Sequence, residues 1–568
     1  MLSKVRNYWP ELLAFGLIAF VLIWCLAPDF TWINTDSDGV HYWFSASNLM
    51  PAHKTSAPLF LLLEKVFLFI PFGTDFWKMA LLSALSTMGG AAFIYLIVKH
   101  HTENRWLSIL GALVYGGSAL VISQSTIVET YALNTCLLFG GYYFALKKHY
   151  KIACLLLAAS LTVHFLSAIA IIVTAINFKG IRNWRNFIWA APFALLFLYM
   201  PLTNRSPYMW FPDPQTTDLL PMIGRNFIAY FQDNFDTGSM LVGGIAIWDV
   251  PKRIFDAGLI YLVSLGLMII PTVLYAWSKR KTWYKSPLIW IVILYSFLFI
   301  GNLAPQTYVY LIPAIGFSAI MGCIWLKDHV SVKLWRSYAL ISIVGCLAMV
   351  GFNAYYFDIG NTLDPNLEAR RYYDVELNKL PENSILLCQW GFDWAACYPY
   401  MNETGKTFYP VCVGTLPSPT YQSDLLKQGI DLWQPETVKT SLSDDIARSI
   451  IDRNDNVYMT VSKDAENYGV EIIPADYTRL IYTGDAPEDM TWSYQASNPY
   501  EFITGKIEIS EWVNLIYTNY SLGFFTMIGL IGGVIAWLVN LMVNRPAELR
   551  RKVKSFLRRP KHGIFREI

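Results

Sequence analysis

Charge is scarce in this chain. Only 15% of its 568 residues are Asp, Glu, Lys or Arg, against about one quarter in an ordinary soluble domain. The net charge of +2 and the lack of a long basic run before the last twenty residues give no footprint for nucleic acid. The eight cysteines form no CxxC pair, which removes the usual zinc-ribbon and dithiol patterns. No Gly-rich phosphate loop and no internal repeat is found, so neither a nucleotide-binding core nor a duplicated transporter architecture is indicated. Small residues of a signal-peptidase site are missing after the first apolar run; Trp24-Cys25-Leu26 stand there instead, and the run from Leu12 to Ala27 reads as an uncleaved first membrane helix.

Apolar residues are plentiful: 54% of the chain is hydrophobic and 16% aromatic, with a mean hydropathy of +0.36. Further apolar runs lie near residues 77–98, 106–123, 129–146, 152–177, 187–203, 257–277, 286–303, 305–326, 333–356 and 520–543. Each approaches the roughly 20 residues a spanning helix needs. The sequence therefore predicts a mostly α polytopic membrane protein of about 11–13 membrane helices.

Basic residues set the orientation. Lys4 and Arg6, Lys99-His100-His101, Lys147, Lys148 and Lys151, "FKGIRNWR", "SKRK" and the tail "ELRRKVKSFLRRPK" all fall on the cytoplasmic side if residues 152–177 enter and return as a hairpin of two short helices, with His164 at its turn. Both termini are then cytoplasmic. Outside lie residues 28–75, residues 204–256 and a polar stretch, 358–514, of about 155 residues, enough for its own core. In it "NSILLC", "KTFYPVCVG", "NVYMTV" and "VEIIPA" read as strands, and "PNLEARRYYDVELNKL" and "LSDDIARSIIDR" as helices. The division expected is a membrane region (1–357), an extracytoplasmic α/β domain (358–514), and a C-terminal anchoring helix with a basic tail (515–568). Cys388, Cys397 and Cys412 fall in the polar domain, where one disulfide would leave the third thiol unpaired.

Ionisable groups near apolar segments carry the functional signal, because burying them unpaired is costly. Four places qualify: Asp36 and Asp38 in "WINTDSDGVHYWF"; His53, Lys54 and Glu64 in "MPAHKTSAPLFLLLEKVF"; Glu129 in "SQSTIVETYALN"; and His164 in "SLTVHFLSA". Each has a plain reading. The aspartates suit a capped turn, the second stretch an interfacial helix lying flat on the bilayer, and Glu129 and His164 local hydrogen bonding. The derived orientation nonetheless puts Asp36, Asp38, His53, Glu129 and His164 on one outer side, which suggests a polar cavity open to the outer leaflet.

The sequence resembles the GT-C glycosyltransferases, most closely the prokaryotic membrane family related to eukaryotic transmembrane O-mannosyltransferases. "DSDG" (Asp36 to Gly39) stands where that family has an Asp-Ser-Gly-Glu-like motif after helix one. "HKTSAPLF" keeps His53, Pro58 and Leu59 of a His-Pro-Pro-Gly-x-Pro-Leu-Tyr segment, "VETYAL" matches Ala-Glu-Val-Tyr-Ala-Leu, and "VHFLS" an Asn-His-Leu-like motif. "YMPLTNRSPYMWFPDP", residues 199 to 214, is similar to a Tyr-x-Pro-Leu-Arg…Trp-x-Asp-Pro pattern, and "QTYVYLIPA" to a Tyr-x-x-Pro helix entry. The six matches run in order through residues 1 to 330. Gly39 replaces the family's second acid, with Asp38 one place earlier, and Lys-Thr-Ser replaces Pro-Pro-Gly.

The resemblance implies an inverting enzyme that takes a sugar, hexose- or mannose-like, from a polyprenyl-phosphate donor and passes it to an acceptor outside the cytoplasm, a protein hydroxyl or a lipid or envelope polysaccharide. A base must take the acceptor's proton; Asp36 is the first candidate and Asp38 the reserve. The departing lipid phosphate calls for cationic or hydrogen-bond donors, a role for His53, Lys54 and Arg205. Glu129 and His164 would line the cavity, with Asp213 and Trp210 shaping its rim. Tyr42, Trp43 and Phe44 would meet sugar faces or the lipid interface. An Asp-x-Asp pair can hold a divalent cation, but no metal ligand and no cofactor beyond the lipid-linked donor is assigned. From another class, a transporter or flippase would use Glu129 and His164 inside the membrane. Nucleic acid is no partner, and oligomeric state stays open.

Overall fold

The computed structural model describes residues 8–24, 26–27, 38–49, 57–193, 195–196, 249–301, 307–330, 377–378, 380–388, 391–417, 419–432, 442–460, 471–473 and 480–482. These are mostly helical. The N-terminal part runs α1 (Trp9–Trp24), α2 (Asp38–Asn48), α3 (Pro58–Phe67), α4 (Asp75–Thr102), α5 (Arg105–Gly116), α6 (Ala119–Ser123), α7 (Thr130–Leu146), α8 (Tyr150–Val163), α9 (Ser167–Asn177) and α10 (Trp184–Phe187). It continues with α11 (Asp249–Leu265), α12 (Ile269–Ser278), α13 (Pro287–Ile300) and α14 (Ile312–His329). The predicted spans at 333–356 and 520–543 lie outside the described residues, as does the end of 187–203.

Among the described residues, Asp75–Thr102 and Tyr308–His329 are long and apolar enough to cross a bilayer. At 1.5 Å per residue, the 28 residues of α4 extend about 42 Å. Its ends are well specified. Thr74 Oγ1 caps the first turn by accepting the Trp77 amide at 3.2 Å, and Lys99, His100 and His101 occupy the last turn, where cations meet the negative end of the helix dipole. Large apolar side chains point outward from α9, α12 and α13, including Ile176 (64% exposed), Val273 (57%) and Phe297 (71%). Outward-facing apolar surface on helices whose backbone groups bond internally is the pattern a hydrocarbon solvent selects.

One predicted division is present and two predicted spans differ in detail. Residues 152–177 do divide at His164, giving the short helices α8 and α9. The run 106–123 also breaks, at Gly117-Ser118, into α5 and the single turn α6. The run 257–277 starts earlier, at Asp249, and changes to a 3-10 turn at Gly266–Met268, where Gly266 has φ +53°. Only a residue without Cβ takes that backbone conformation at little cost.

Close approach of helices relies on small residues. A Cβ on Gly316 of α14 would stand 2.3 Å from Phe139 of α7, so the two helices meet there almost backbone to ring. At another end of the bundle, Glu11 of α1 is gripped from two helices. Arg105 at the start of α5 pairs with both its oxygens, the Nε–Oε1 distance being 3.0 Å, and the Tyr95 hydroxyl of α4 donates to Oε1 at 3.0 Å. Arg105→Met keeps the bulk but leaves a half-buried carboxylate with one donor. The expected cost is about 1–2 kcal/mol, discounted for partial exposure, and a lower unfolding temperature in detergent would register it.

The C-terminal described part holds a five-stranded mixed sheet: β1 (Ile385–Cys388), β2 (Tyr409–Cys412), β3 (Val457–Thr460), β4 (Glu471–Ile473) and β5 (Leu480–Tyr482), in the order β2-β1-β3-β5-β4. β1 pairs in parallel with β2 and β3, whereas β5 is antiparallel to both β3 and β4. Three helices accompany it: α15 (Gly391–Thr404), α16 (Pro419–Lys427) and α17 (Leu442–Arg453). Alternation along the strands separates two faces. Ile385, Leu387, Val411, Val457 and Met459 pack with Tyr421 and Leu425 of α16 and Ile446 and Ile450 of α17. Leu386, Cys388, Cys412 and Tyr458 face the other way, into a core that includes Trp394 and Cys397 of α15 and continues to the helices of the N-terminal part. Cys388, Cys397 and Cys412 are all buried, with Cys388 and Cys412 opposite one another across β1 and β2. The four predicted strands and the helix at 442–453 are present. β5, α15 and α16 were not predicted, and most of the helix expected over 365–380 lies outside the described residues.

Candidate active site

Helix α2 brings the first acid. Asp38 opens it, which suits the positive end of the helix dipole, and every residue from Val40 to Ala46 is buried. Three neighbours hold it. The Trp43 indole donates to Asp75 Oδ2 at 3.0 Å, the Tyr42 and Phe60 rings meet edge-to-face at 5.0 Å, and Lys65 Nζ donates to the Ser47 carbonyl at 2.7 Å. Tyr42, Trp43 and Phe44 therefore pack inside the protein and not at the lipid interface, the second of the two roles expected for them. In helix α3, Glu64 is fully buried, while Val66 on the same helix is exposed.

The second acid caps a helix. Glu129 is only 3% exposed; its Oε2 accepts the Thr130 amide at 3.2 Å at the start of α7, and its carbonyl accepts Ser83 Oγ at 3.1 Å. Gly39, beside Asp38, lies near Val128, beside Glu129: a Cβ added there would meet Val128 Cβ at 3.4 Å, an ordinary contact. The start of α2 thus lies near the start of α7. Asp38 lies within electrostatic reach of Glu129, and the two carboxylates act together on Tyr42 and Tyr131. Tyr42 also hydrogen-bonds Thr130, tying the acids' two helices through a third side chain.

His164 ends α8. Its Nδ1 accepts the Leu166 amide at 3.2 Å, which leaves the neutral ring's proton on Nε2. The ring stacks on Phe165 at 5.1 Å, with Tyr131 at 5.2 Å and Tyr310 at 6.4 Å. The turn beneath it is clamped from two sides. Asn134 of α7 donates to the carbonyls of Ser160 (2.8 Å) and His164 (3.2 Å) and to Ser167 Oγ, and the Tyr295 hydroxyl of α13 donates to the Leu166 carbonyl at 2.9 Å.

Tyr310 closes the group. It belongs to the 3-10 turn Thr307–Leu311 that leads into α14, where Pro313 starts the helix. Its ring reaches His164, and Asp38 acts on its hydroxyl. Asp38, Glu129 and His164 therefore assemble around Tyr42, Tyr131 and Tyr310. Asp36, His53, Lys54, Arg205 and Asp213 lie outside the described residues. The roles of Tyr131 and Tyr310 were not singled out from sequence, although both occupy quoted motifs; a tyrosine in an apolar run carries no mark that it faces a carboxylate. Among the described residues no group of three or more His, Cys, Asp or Glu side chains is arranged to hold a metal ion.

No family model matches the chain, and no curated protein does. Solved structures do align with the chain, at low identity. ArnT from Cupriavidus metallidurans bound to undecaprenyl phosphate aligns at 12% identity and TM-score 0.46, over 82% of this chain and 96% of that one. Its apo state aligns at 11% identity and TM-score 0.47, over 84% and 98%. The apo oligosaccharyltransferase of Archaeoglobus fulgidus aligns at 13% identity and TM-score 0.44, over 82% of this chain and 71% of that one.

Proposed function

We propose that the protein is an integral-membrane inverting glycosyltransferase that moves a sugar from a polyprenyl-phosphate donor to a hydroxyl acceptor outside the cytoplasm, a protein in the first instance. One observation supports this most. Asp38, Glu129 and His164, drawn from three separated motifs of the GT-C resemblance, converge on the same tyrosine-lined place.

The chemistry follows from the parts. An acceptor hydroxyl attacks the anomeric carbon from the face opposite the lipid phosphate; its C–O bond forms as the bond to the phosphate oxygen breaks, and the proton passes to a carboxylate. Asp36 is assigned that role. Asp38 supplies the negative pole that steadies the developing oxocarbenium charge, Glu129 orients the sugar hydroxyls, and His164 offers a hydrogen-bond donor from Nε2. His53, Lys54 and Arg205 are assigned to the departing phosphate, and Asp213 to the rim. The activated sugar arrives in the bilayer, which agrees with a sequence lacking a nucleotide loop.

The test uses the purified chain in lipid with a radiolabelled polyprenyl-phosphate sugar and peptide or glycan acceptors. Label should appear in the acceptor with inverted configuration. Transfer that survives in both Asp36→Asn and Asp38→Asn sinks the assignment. Vesicle uptake that needs Glu129, with no transfer, speaks for a transporter instead.

A further inference from the structure

Helix α2 is held by α3 and α4 on some of its sides, and another is taken by α15, which belongs to the sheet-bearing part of the chain more than 340 residues later in sequence. The contact is a three-ring cluster. Phe44 of α2 meets Trp394 at 4.9 Å, edge-on at 66°, and Tyr398 at 4.8 Å; the Trp394 and Tyr398 rings, one turn apart on α15, meet each other at 4.9 Å. Phe44 is 8% exposed and Trp394 2%. The cluster is itself anchored, because the Trp394 indole donates to the Pro410 carbonyl of β2 at 3.2 Å. Sheet, α15 and α2 thus form a continuous stack ending at the helix that Asp38 opens, with Asp36 two residues before it.

A helix of 11 residues has little stability of its own, so its direction is set by what packs on it. Phe44 sits six residues from Asp38, about 9 Å along the axis. A shift at the aromatic end therefore moves the acidic end through a short rigid lever. We propose that Trp394 and Tyr398 are positioning residues: the sheet-bearing part, through these rings on Phe44, sets where Asp38, at the other end of α2, stands relative to Glu129. The inference rests on the glycosyltransferase reading for its kinetic consequence, but not for its structural one.

Two variants outside the deepest core test it, Tyr398→Ala and Phe44→Leu, with Trp394→Phe as the conservative control. In transfer assays on the full-length protein in lipid, the first two should lower kcat about 10-fold to 100-fold, the penalty of a reactive group misplaced by an ångström, with donor KM almost unchanged. Trp394→Phe, which keeps an aromatic partner for Phe44, should retain most of the rate. Hydrogen exchange of residues 38–48 should quicken in the first two variants while the β1 amides of 385–388 stay protected, which separates lost positioning from an unfolded sheet. Unchanged kcat together with unchanged exchange on α2 overturns the proposal. If the wild type transfers no sugar at all, the functional reading fails by itself, and exchange on α2 still decides whether α15 holds that helix.

Discussion

Asp36→Asn is expected to cut the rate of sugar transfer about 10³-fold with little change in donor KM, since a positioned general base contributes on that scale and an amide of the same shape accepts no proton. Asp38→Asn should lose less, about 10-fold to 100-fold, for a reason the structure supplies. Asp38 is the opening residue of α2 and shares its field with Glu129, so its carboxylate acts as one of a pair. Glu129→Gln should then add little to Asp38→Asn, because residues that act as a unit are not additive. Single-turnover kinetics on the three single variants and the double variant check both statements. The reverse ranking, with Asp38→Asn the more damaging, would make Asp38 the base and Asp36 its helper.

Asn134→Leu should be among the most destabilising single changes in the described part. Leucine fills nearly the same space but provides no N–H, leaving the carbonyls of Ser160 and His164 and the hydroxyl of Ser167 short of a donor in a buried turn. At about 1–3 kcal/mol for a buried polar group left unsatisfied, and with the Ser160 carbonyl still served by the His164 amide, the loss should total about 2–3 kcal/mol. The same turn aims the His164 ring, so transfer should fall along with the unfolding temperature, whereas Arg105→Met, at another end of the bundle, should lower the temperature alone. A variant that melts earlier yet transfers at the wild-type rate would show that His164 does not need its turn fixed.

Much of the site was legible because its motifs are polar interruptions of apolar runs. Glu129 and His164 stand out in "VETYAL" and "VHFLS" against long stretches of Leu, Ala and Phe, and the basic loops required the split at His164 that α8 and α9 display. Strands β1 to β4 were legible for a related reason, as short apolar runs between turn residues. β5 was missed because the apolar run "LIY" around it is shorter than the "VEIIPA" that marked β4, and "GFDWAACYPYMNET" conceals its helix behind Pro399 and a run of aromatics without a 3.6-residue period.

Composition and charge asymmetry alone thus determined a helical membrane protein, its order of polar and apolar segments, and the acids worth suspecting. These are properties of single residues and their neighbours along the chain. Tertiary structure decided what depends on distant residues meeting: that the start of α2 lies near Val128 and Asp38 within reach of Glu129, that Tyr42, Trp43 and Phe44 turn inward, that Tyr310 reaches His164, and that α15 presses Trp394 and Tyr398 onto the acid-bearing helix. A ring that closes on lipid and a ring that closes on another helix have the same hydrophobicity, so only packing distinguishes them.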